Sequence, residues 1–175
     1  FLKAQGYELG SSFVEDVFVD KVKRKKRDWV EVAKDILKQA QSQGKKILLP
    51  ADLVMSDGVS VKVITTEKIP AGWMALDIGP ETQKNYSLIV SQSKTVFLAG
   101  PIGKFEDAKF SGGSKAILAA MKKVNGDTII AGGDTIGMTR RYGSLEDYSH
   151  VSLAAGATLE FLAGKELPAL KALMK

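Results

Sequence analysis

Residues 128–138 read TIIAGGDTIGM, and the turn at their centre decides which fold the sequence predicts. An apolar run typical of a buried strand stops at two glycines, and Asp134 and Thr135 open the next helical segment. Gly132 and Gly133 let backbone N–H groups approach an anion, to which the positive end of the helix adds attraction. The stretch predicts either a phosphate site with Asp134 as a Mg²⁺ ligand, or a plain turn in which Asp134 or Thr135 caps the helix.

The order strand, glycine turn, helix occurs three times in the second half of the chain. Apolar runs end at Ala99, Ala131 and Leu153, and each is followed by one or more glycines and a helical pattern. Strands that alternate with helices form parallel sheets, because the helix returns the chain to the edge where the strand began. The sequence predicts an α/β fold in three layers, a parallel sheet flanked by helices, with ligands bound beyond the carboxyl ends of the strands.

The first half of the chain gives a less regular pattern. Four elements are predicted there: helices at residues 29–43 and 81–91, and strands at residues 46–55 and 60–66. Gly44 is the expected C-cap of the first helix, and Pro80 opens the second. Residues 69–80 are predicted to be mostly loop, because two prolines and two glycines interrupt them, and Trp73 and Met74 within them are interpreted as core residues.

The composition is that of one compact globular domain. Of 175 residues, 45% are hydrophobic and 26% are charged, which is enough apolar material to bury a sizeable core. The absence of cysteine excludes disulfides and thiol catalysis, and the single histidine, His150, is interpreted as a hydrogen-bonded core residue. No apolar stretch has the length of a membrane span and the first residues lack the pattern of a signal peptide, so the cytoplasm or another non-secreted compartment is expected.

The net charge of +5 favours an anionic ligand such as a nucleotide. Six basic side chains crowd into residues 21–27: Lys21, Lys23, Arg24, Lys25, Lys26 and Arg27. No aromatic residue interleaves with them, as stacking on nucleic-acid bases would require. The segment is interpreted as a solvated surface, with contact to nucleic acid or to an acidic protein partner as the alternatives.

A second candidate site follows the predicted strand that ends at Ala99. Residues 100–106 read GPIGKFE, in which Lys104 can contact a phosphate and Glu106 can accept hydrogen bonds from a ribose; a plain surface loop is the alternative. The chain lacks the P-loop pattern G-x-x-x-x-G-K-[ST], and GGDTIG does not fit the dinucleotide pattern G-x-G-x-x-G. A phosphate site in this chain would therefore differ from both of those motifs.

Seven blocks of the sequence, spread over nearly the whole chain, carry a resemblance to a known family. In chain order they read FLKAQGYELGSS, KILLPADLV, IPAGWMALDIGPET, GPIGKFE, AGGDT, SHVS and GATLEFLAGKELPAL. Together they resemble the C-terminal, nucleotide-binding lobe of the phosphoglycerate kinases, in which the same blocks follow one another in the same order. The longest blocks are too long and too ordered to be a chance match.

The resemblance implies a fold and an activity. It implies a Rossmann-like lobe of a kinase that transfers a phosphoryl group between 1,3-bisphosphoglycerate and ADP in glycolysis, with Mg²⁺ bound to the ADP or ATP. Residues 1–175 would form part of the nucleotide-binding lobe, and the N-terminal lobe that binds 3-phosphoglycerate is absent from this chain. Phosphoryl transfer depends on positioning and charge neutralisation, which agrees with a chain that lacks cysteine.

The resemblance also assigns roles to single positions. The implied nucleotide-binding residues are Pro101, Gly103, Glu106, Gly132, Gly133, Asp134 and Thr135. Among these, Asp134 matches the metal position and Glu106 matches the acidic residue that contacts the ribose. Gly133 and Gly156 are the implied catalytic positions, because their turns match those that face the transferred phosphoryl group.

The sequence departs from the family pattern at four places. Ala99 replaces an asparagine that touches the nucleotide, Ala131 replaces the first glycine of the phosphate motif, and Lys104 replaces a hydrophobic residue. The family's Thr-Gly-Gly-Gly turn reads LAAG at residues 153–156, which removes a hydroxyl and adds two methyl groups. These departures leave a second interpretation open, a catalytically degenerate kinase lobe that serves as a structural or interaction subunit.

Overall fold

The computed structural model describes residues 1–14, 17–20 and 25–174. The chain divides into two compact units, Phe1–Thr82 and Gln83–Lys175. In the described part, no helix has both the length and the apolar character needed to cross a membrane.

The first unit contains a hairpin, one long helix and an antiparallel sheet. Its elements are β1 (Val17–Asp20), β2 (Lys25–Asp28), α1 (Trp29–Ser42), β3 (Asp52–Ser56), β4 (Val61–Thr65) and β5 (Met74–Ile78), with short 3-10 helices at Lys3–Gln5 and Thr66–Lys68. β1 pairs with β2, and β3 lies between β4 and β5, all in antiparallel register. Of the basic segment at residues 21–27, residues 21–24 lie outside the described residues, so a partner at this segment stays a prediction.

Helix α1 confirms the helix predicted at residues 29–43 to within one residue. The Asp28 carboxylate caps it by accepting hydrogen bonds from the N–H groups of Val30 (2.9 Å) and Glu31 (3.2 Å). Gly44 follows the helix with a φ of +64°, a conformation that glycine adopts without strain.

Two predictions for the first unit are wrong. β5 forms where the prolines and glycines predict a loop, since Gly72 lies before the strand and Gly79 follows it. Residues 46–51 are not in a strand, so the strand predicted at residues 46–55 is reduced to β3. No described strand pairs with residues 46–51, and a strand is stable only where another backbone pairs with its N–H and C=O groups. The strand predicted at residues 60–66 is confirmed as β4.

The core of the first unit is small. Among the described residues its buried apolar side chains are Leu53, Met55 and Ile69. Trp73 packs against them, as predicted, whereas Met74 is 40% exposed and the prediction that it belongs to the core is wrong. The sheet therefore buries its apolar side chains mainly along its central strand.

The second unit is built on a parallel sheet. Its elements are α2 (Pro80–Ser91, which begins in the first unit), β6 (Thr95–Ala99), α3 (Gly112–Met121), β7 (Asp127–Ala131), α4 (Gly133–Tyr142), β8 (His150–Ser152), α5 (Ala155–Leu162) and α6 (Pro168–Leu173), with 3-10 helices at Ala108–Phe110 and Leu145–Asp147. The strand order is β6-β7-β8, and both pairings are parallel. This sheet with its helices confirms the predicted α/β, Rossmann-like fold class.

The core of the second unit lies against the central strand β7. Ile130 and Ala131 of this strand have no exposed surface. Apolar side chains of α3 and α4 pack in the same cluster, among them Leu118 and Met138. His150 lies at the start of β8 and is exposed, so its interpretation as a core residue is wrong.

Candidate functional site

The three strands of the parallel sheet end at one level. Ala99 pairs with Ala131, and Ala131 pairs with Ser152, so the turns that follow β6, β7 and β8 lie side by side at one edge. The N–H of Gly132 donates to the C=O of Ser152 at 3.0 Å and ties the second turn to the third. The structure therefore brings the predicted site residues, which all follow these strands, to the carboxyl edge of the sheet.

The turn after β7 requires glycine at Gly132. Its φ is +100°, where side chains cause strain, and a Cβ there would lie 3.0 Å from the Cβ of Ala155. A Cβ at Gly133 would meet nothing within 4 Å, so the space in front of Gly133 is open. Ala131, which departs from the family pattern, is a fully buried strand residue, so its methyl group is not exposed at the turn.

The first turn of α4 presents unpaired donors beside a free carboxylate. Within the described residues, the N–H groups of Gly133, Asp134 and Thr135 have no acceptor, and no side chain caps the helix. The Asp134 side chain is exposed and forms no hydrogen bond or ion pair with another described residue. The alternative in which Asp134 or Thr135 caps the helix is therefore wrong.

The Thr135 hydroxyl has a structural partner. The side chain is 1% exposed, and its Oγ1 accepts a hydrogen bond from the N–H of Gly100 at 2.7 Å. This bond ties the turn after β7 to the turn after β6. The backbone N–H of Thr135, and not its hydroxyl, is the group left without a partner in this turn.

Asp134 stands alone as a candidate metal ligand at this edge. In the part of the chain that the structure describes, no group of three histidine or carboxylate side chains could enclose a metal ion. Magnesium in nucleotide sites keeps several waters and takes one or two carboxylates together with the phosphates of the substrate. A single exposed carboxylate beside unpaired N–H groups fits that type of binding.

The turn after β8 keeps its backbone donors although two glycines of the family pattern are alanines. Ala154 has a φ of −115°, which any residue adopts, so the methyl group causes no backbone strain. The hydroxyls of Ser152 and Thr158 lie 2.8 Å apart, and Thr158 donates to the C=O of Ala154 at 2.9 Å. The N–H groups of the first turn of α5, that of Gly156 included, have no acceptor among the described residues.

The loop after β6, residues 100–106, carries the second candidate set. Gly100 and Gly103 have φ values of +106° and +71°, so both positions favour glycine. The side chain of Glu106 is exposed, and Pro101 is half-buried. The loop therefore presents one carboxylate to solvent next to a backbone whose course is set by two glycines.

Two residues that the sequence did not indicate hold this loop. Ser114 of α3 donates to the C=O of Ile102 at 2.5 Å and accepts from the N–H of Ile102 at 3.1 Å. Tyr142, the last residue of α4, donates to the C=O of Phe105 at 2.6 Å. The partners lie 12 and 37 residues apart in the sequence, so no local motif reveals them. Ser114 lies beside Lys115 and Tyr142 lies beside Arg141 in the sequence, so the neighbouring side chains give no signal either.

The groups with shifted pKa values lie away from this edge. Burial raises the pKa of Tyr148 to about 12, and the nearby charge of Asp147 adds to the shift. The Lys122 ammonium, 2.5 Å from the Asp147 carboxylate, lowers the pKa of Asp147. Both acidic groups precede β8 and so lie at the amino end of that strand, opposite the candidate site.

Glycine turns, two helix N-termini and a free carboxylate at the carboxyl edge of a parallel sheet define an α/β protein with a Rossmann-like lobe. In this class, ligands bind beyond the carboxyl ends of the strands. The family model for phosphoglycerate kinase matches residues 1–165, and the chain belongs to that family.

Individual relatives agree with this assignment. The chain is 42% identical over 177 residues to the phosphoglycerate kinase of Roseiflexus sp. (strain RS-1) and 39% identical over 180 residues to the cytosolic enzyme of Nicotiana tabacum. Each alignment covers 99% of this chain and 42% of the relative, so the chain spans about two fifths of the relatives that it matches.

Two solved structures of the family resemble the chain in three dimensions. The phosphoglycerate kinase of Coxiella burnetii superposes with a TM-score of 0.85 at 33% identity, over 97% of this chain and 42% of that protein. The enzyme of Pyrococcus horikoshii OT3 superposes with a TM-score of 0.79 at 28% identity, over 98% of this chain and 42% of that protein. The likeness therefore extends over nearly all of this chain and less than half of each enzyme.

Proposed function

We propose that this chain forms part of the nucleotide-binding lobe of a phosphoglycerate kinase and binds Mg²⁺ with ADP or ATP. The kinase would transfer a phosphoryl group between 1,3-bisphosphoglycerate and ADP in glycolysis. The observation that carries the proposal is the first turn of α4, where unpaired backbone N–H groups and the exposed Asp134 carboxylate lie at the carboxyl edge of the sheet.

In this proposal the phosphates of the nucleotide lie at the start of α4. The N–H groups of Gly133 and Thr135 donate to phosphate oxygens, and Gly133 lets the phosphate approach the backbone because the space in front of its Cα is open. The Asp134 carboxylate holds the magnesium ion. The bound ion neutralises phosphate charge, which is the chemistry that phosphoryl transfer requires of it. The hydroxyl of Thr135 keeps its bond to Gly100 and acts only on the shape of the turn.

The loop after β6 would bind the nucleoside. Glu106 has an exposed carboxylate that can accept hydrogen bonds from ribose hydroxyls, and Pro101 and Gly103 shape the neighbouring backbone. Lys104 adds a positive charge on the same loop, which favours an anionic ligand.

The transferred phosphoryl group would meet the starts of two helices. Gly133 at α4 and Gly156 at α5 offer backbone N–H groups, and such donors stabilise charge that develops in the transition state. The unstrained backbone at Ala154 supports this role, because donors on the backbone survive a change of side chain.

The remaining parts of the proposal concern what lies beyond this chain. Because the chain spans about two fifths of its relatives, we assign the binding of 3-phosphoglycerate to a lobe outside residues 1–175. The tobacco relative is named a cytosolic enzyme, and we infer the cytoplasm or another non-secreted compartment for this chain as well.

A second candidate function is a catalytically degenerate lobe that serves as a structural subunit. It is favoured by the third turn, where the Ala155 methyl group lies against Gly132 and Ala154 adds a second methyl. It is also favoured by Ala99, whose side chain cannot make the polar contact of the asparagine that the family pattern has there. A lobe of this kind would not bind nucleotide.

Calorimetric titration of the 175-residue chain distinguishes the two candidates. The kinase proposal predicts saturable ADP binding that requires Mg²⁺ and that Asp134→Ala weakens by at least about tenfold, the lower end of what loss of a metal-supporting group costs. Asp57→Ala, which changes an exposed turn in the first unit, is the matched control and leaves the affinity unchanged. Failure to bind MgADP would contradict the kinase proposal and support the structural one.

A further inference from the structure

The loop at residues 100–106 is fastened to the helices at three backbone points. The points are Gly100, Ile102 and Phe105, held by Thr135, Ser114 and Tyr142 respectively. The residues proposed to meet the nucleotide, Pro101, Gly103 and Glu106, alternate with these points. Every proposed contact therefore follows directly after, or lies between, backbone groups that a helix side chain holds.

Tyr142 acts on the peptide group that precedes Glu106. The C=O that accepts its hydrogen bond at 2.6 Å belongs to Phe105, and it shares one planar peptide unit with the nitrogen of Glu106. A planar unit rotates as a whole, so a bond that fixes the oxygen also fixes the direction in which the backbone enters Glu106. The tyrosine hydroxyl thereby sets the position from which the Glu106 carboxylate extends.

The ring of Tyr142 is itself held in place. It is half-buried and packs against the apolar core of the second unit, together with Phe105. The Lys115 ammonium lies 4.7 Å from the ring centre and the Arg141 guanidinium lies 5.6 Å from it, both within the range of cation–π attraction. Because the core and two cations confine the ring, turning its hydroxyl away from the loop costs free energy.

Helix α4 connects this contact to the proposed phosphate site. Asp134 lies in its first turn and Tyr142 is its last residue, so about 12 Å of helix separates them at the rise per residue of an α-helix. One rigid element thus carries the metal ligand at one end and the support of the ribose loop at the other. The separation between the two parts of the nucleotide site is fixed by the length of α4.

From these contacts we infer that Tyr142 is a positioning residue that sets where Glu106 meets the ribose of a nucleotide whose phosphates lie at Asp134. The inference deepens the proposed function and rests on it. It states that the chain recognises the nucleoside separately from the phosphates, through a loop whose shape depends on the tyrosine hydroxyl. The phosphate turn has its own backbone support and does not need that hydroxyl.

The test compares two ligands on one variant. Tyr142→Phe keeps the ring and removes the hydroxyl, and the 175-residue chain is titrated with MgADP and with magnesium pyrophosphate. The affinity for MgADP falls about three- to tenfold, the range that loss of one neutral hydrogen bond produces. The affinity for magnesium pyrophosphate, which lacks a nucleoside, stays unchanged.

Two further variants serve as a control and as an independent repeat of this test. Tyr148→Phe removes a hydroxyl that donates to the C=O of Leu118 at 3.3 Å in the same unit, away from the loop, and leaves both affinities unchanged. Ser114→Ala removes the two bonds to Ile102 and lowers the MgADP affinity alone, which repeats the test should Tyr142→Phe alter the thermal unfolding of the chain.

The results distinguish a failure of the role inferred for Tyr142 from a failure of the proposed nucleotide-binding function. Unchanged MgADP affinity in Tyr142→Phe would overturn the inference and leave the proposed function intact. Equal losses for MgADP and for magnesium pyrophosphate would also overturn it, because the tyrosine would then support the whole unit rather than the ribose loop. If the unaltered chain binds pyrophosphate but not MgADP, the inference fails together with the nucleotide proposal.

Discussion

The two units of the chain differ in how completely they bury their apolar side chains. In the second unit the described core cluster contains seven buried residues, among them Ile130 of the central strand, and Ala131 of the same strand also has no exposed surface. In the first unit the described core contains three. A pocket of about 440 Å³, open to solvent, lies there, and its lining includes Leu2, Leu9 and Leu53.

The edge of the first unit's sheet shows the same difference. Val61 and Val63 of β4 are 46% and 54% exposed, whereas in the parallel sheet every valine, leucine, isoleucine and phenylalanine side chain of the three strands is at least half-buried. Every residue assigned to the proposed nucleotide site follows a strand of the second unit. A site that depends on fixed geometry requires a rigid support, and the second unit, here called the closed unit because its core is the more completely buried, supplies it.

The largest expected effect is a loss of stability when the core of the second unit is altered. Ile130→Ala removes a side chain without exposed surface and lowers the free energy of unfolding by about 2–5 kcal/mol, because a cavity is left between β7 and the helices. Hydrogen exchange of the β6–β8 amides measures the loss. Val63→Ala, on the exposed edge of the first unit, changes stability by no more than about 0.5 kcal/mol. Similar losses for the two variants would break the comparison between the units.

The next largest effect is a loss of stability in the first unit when the buried carboxylate of Asp52 is removed. Asp52 is 5% exposed and accepts hydrogen bonds from the Thr82 N–H (2.8 Å), the Thr82 hydroxyl (2.6 Å) and the Glu81 N–H (3.1 Å). It therefore caps the start of α2 from strand β3. Asp52→Ala lowers stability by about 2–4 kcal/mol, because a charged acceptor is lost and buried donors remain.

Denaturant unfolding followed by tryptophan fluorescence measures this loss, since Trp29 and Trp73 both lie in the first unit. Asp57→Ala removes an exposed turn carboxylate of the same unit and serves as the control, with a smaller loss. A negligible effect of Asp52→Ala would show that the first unit depends on apolar contacts that the buried residues do not reveal.

Alkaline pH tests the closed unit by a different route. Because burial raises the pKa of Tyr148 from its ordinary value of 10.0 to about 12, the folded chain keeps a proton that the unfolded chain releases first. The contribution of Tyr148 to stability is complete below pH 10 and is lost as the pH rises towards 12, by about 3 kcal/mol in all. Tyr148→Phe removes this dependence, so the difference between the two unfolding curves across that pH range reports the tyrosine alone.

The smallest effect comes from an exposed ion pair. The ammonium of Lys122 lowers the pKa of Asp147, so the pair stabilises the folded chain above the ordinary carboxylate pKa, and the contribution is lost as the pH falls through the folded value. Lys122→Met therefore lowers thermal stability slightly at neutral pH and not at acidic pH. Equal shifts at both pH values would show that Lys122 acts through packing rather than through its charge.

The sequence predicts the closed unit well because its signals are local. Each strand from β6 to β8 is a short apolar run followed by a glycine turn and a helical pattern, and each element needs only its own residues to be recognised. Gly132 is an example, since the positive φ that it adopts is a property of one residue in one turn.

The first unit is predicted less well because its strands depend on distant partners. Residues 46–51 have the apolar pattern of a strand and do not form one, since no described strand pairs with them. β5 has glycine on both sides and forms nevertheless, because β3 pairs with it. Pairing of this kind joins segments far apart in the chain, and a local pattern does not contain it.

The candidate site contains features that a local sequence pattern predicts and features that depend on distant partners. The exposed carboxylates of Asp134 and Glu106 follow from their places in strand-end turns, which the sequence indicates. The supports at Ser114 and Tyr142 do not follow, because each bonds to a backbone group on another element. The prediction of Thr135 as a nucleotide-binding residue also missed the bond between its hydroxyl and Gly100, for the same reason.

A titration with MgADP, followed through the backbone amide signals, shows where on the chain the nucleotide binds. We expect the largest chemical-shift changes at Gly133, Asp134 and Thr135 and in the loop at residues 100–106, with no change at the exposed turn of residues 57–60. Removal of Mg²⁺ or the Asp134→Ala change abolishes the shifts at the start of α4. Unchanged signals at α4 when MgADP is added, or changes confined to other parts of the chain, would show that the carboxyl edge of the parallel sheet does not bind the nucleotide.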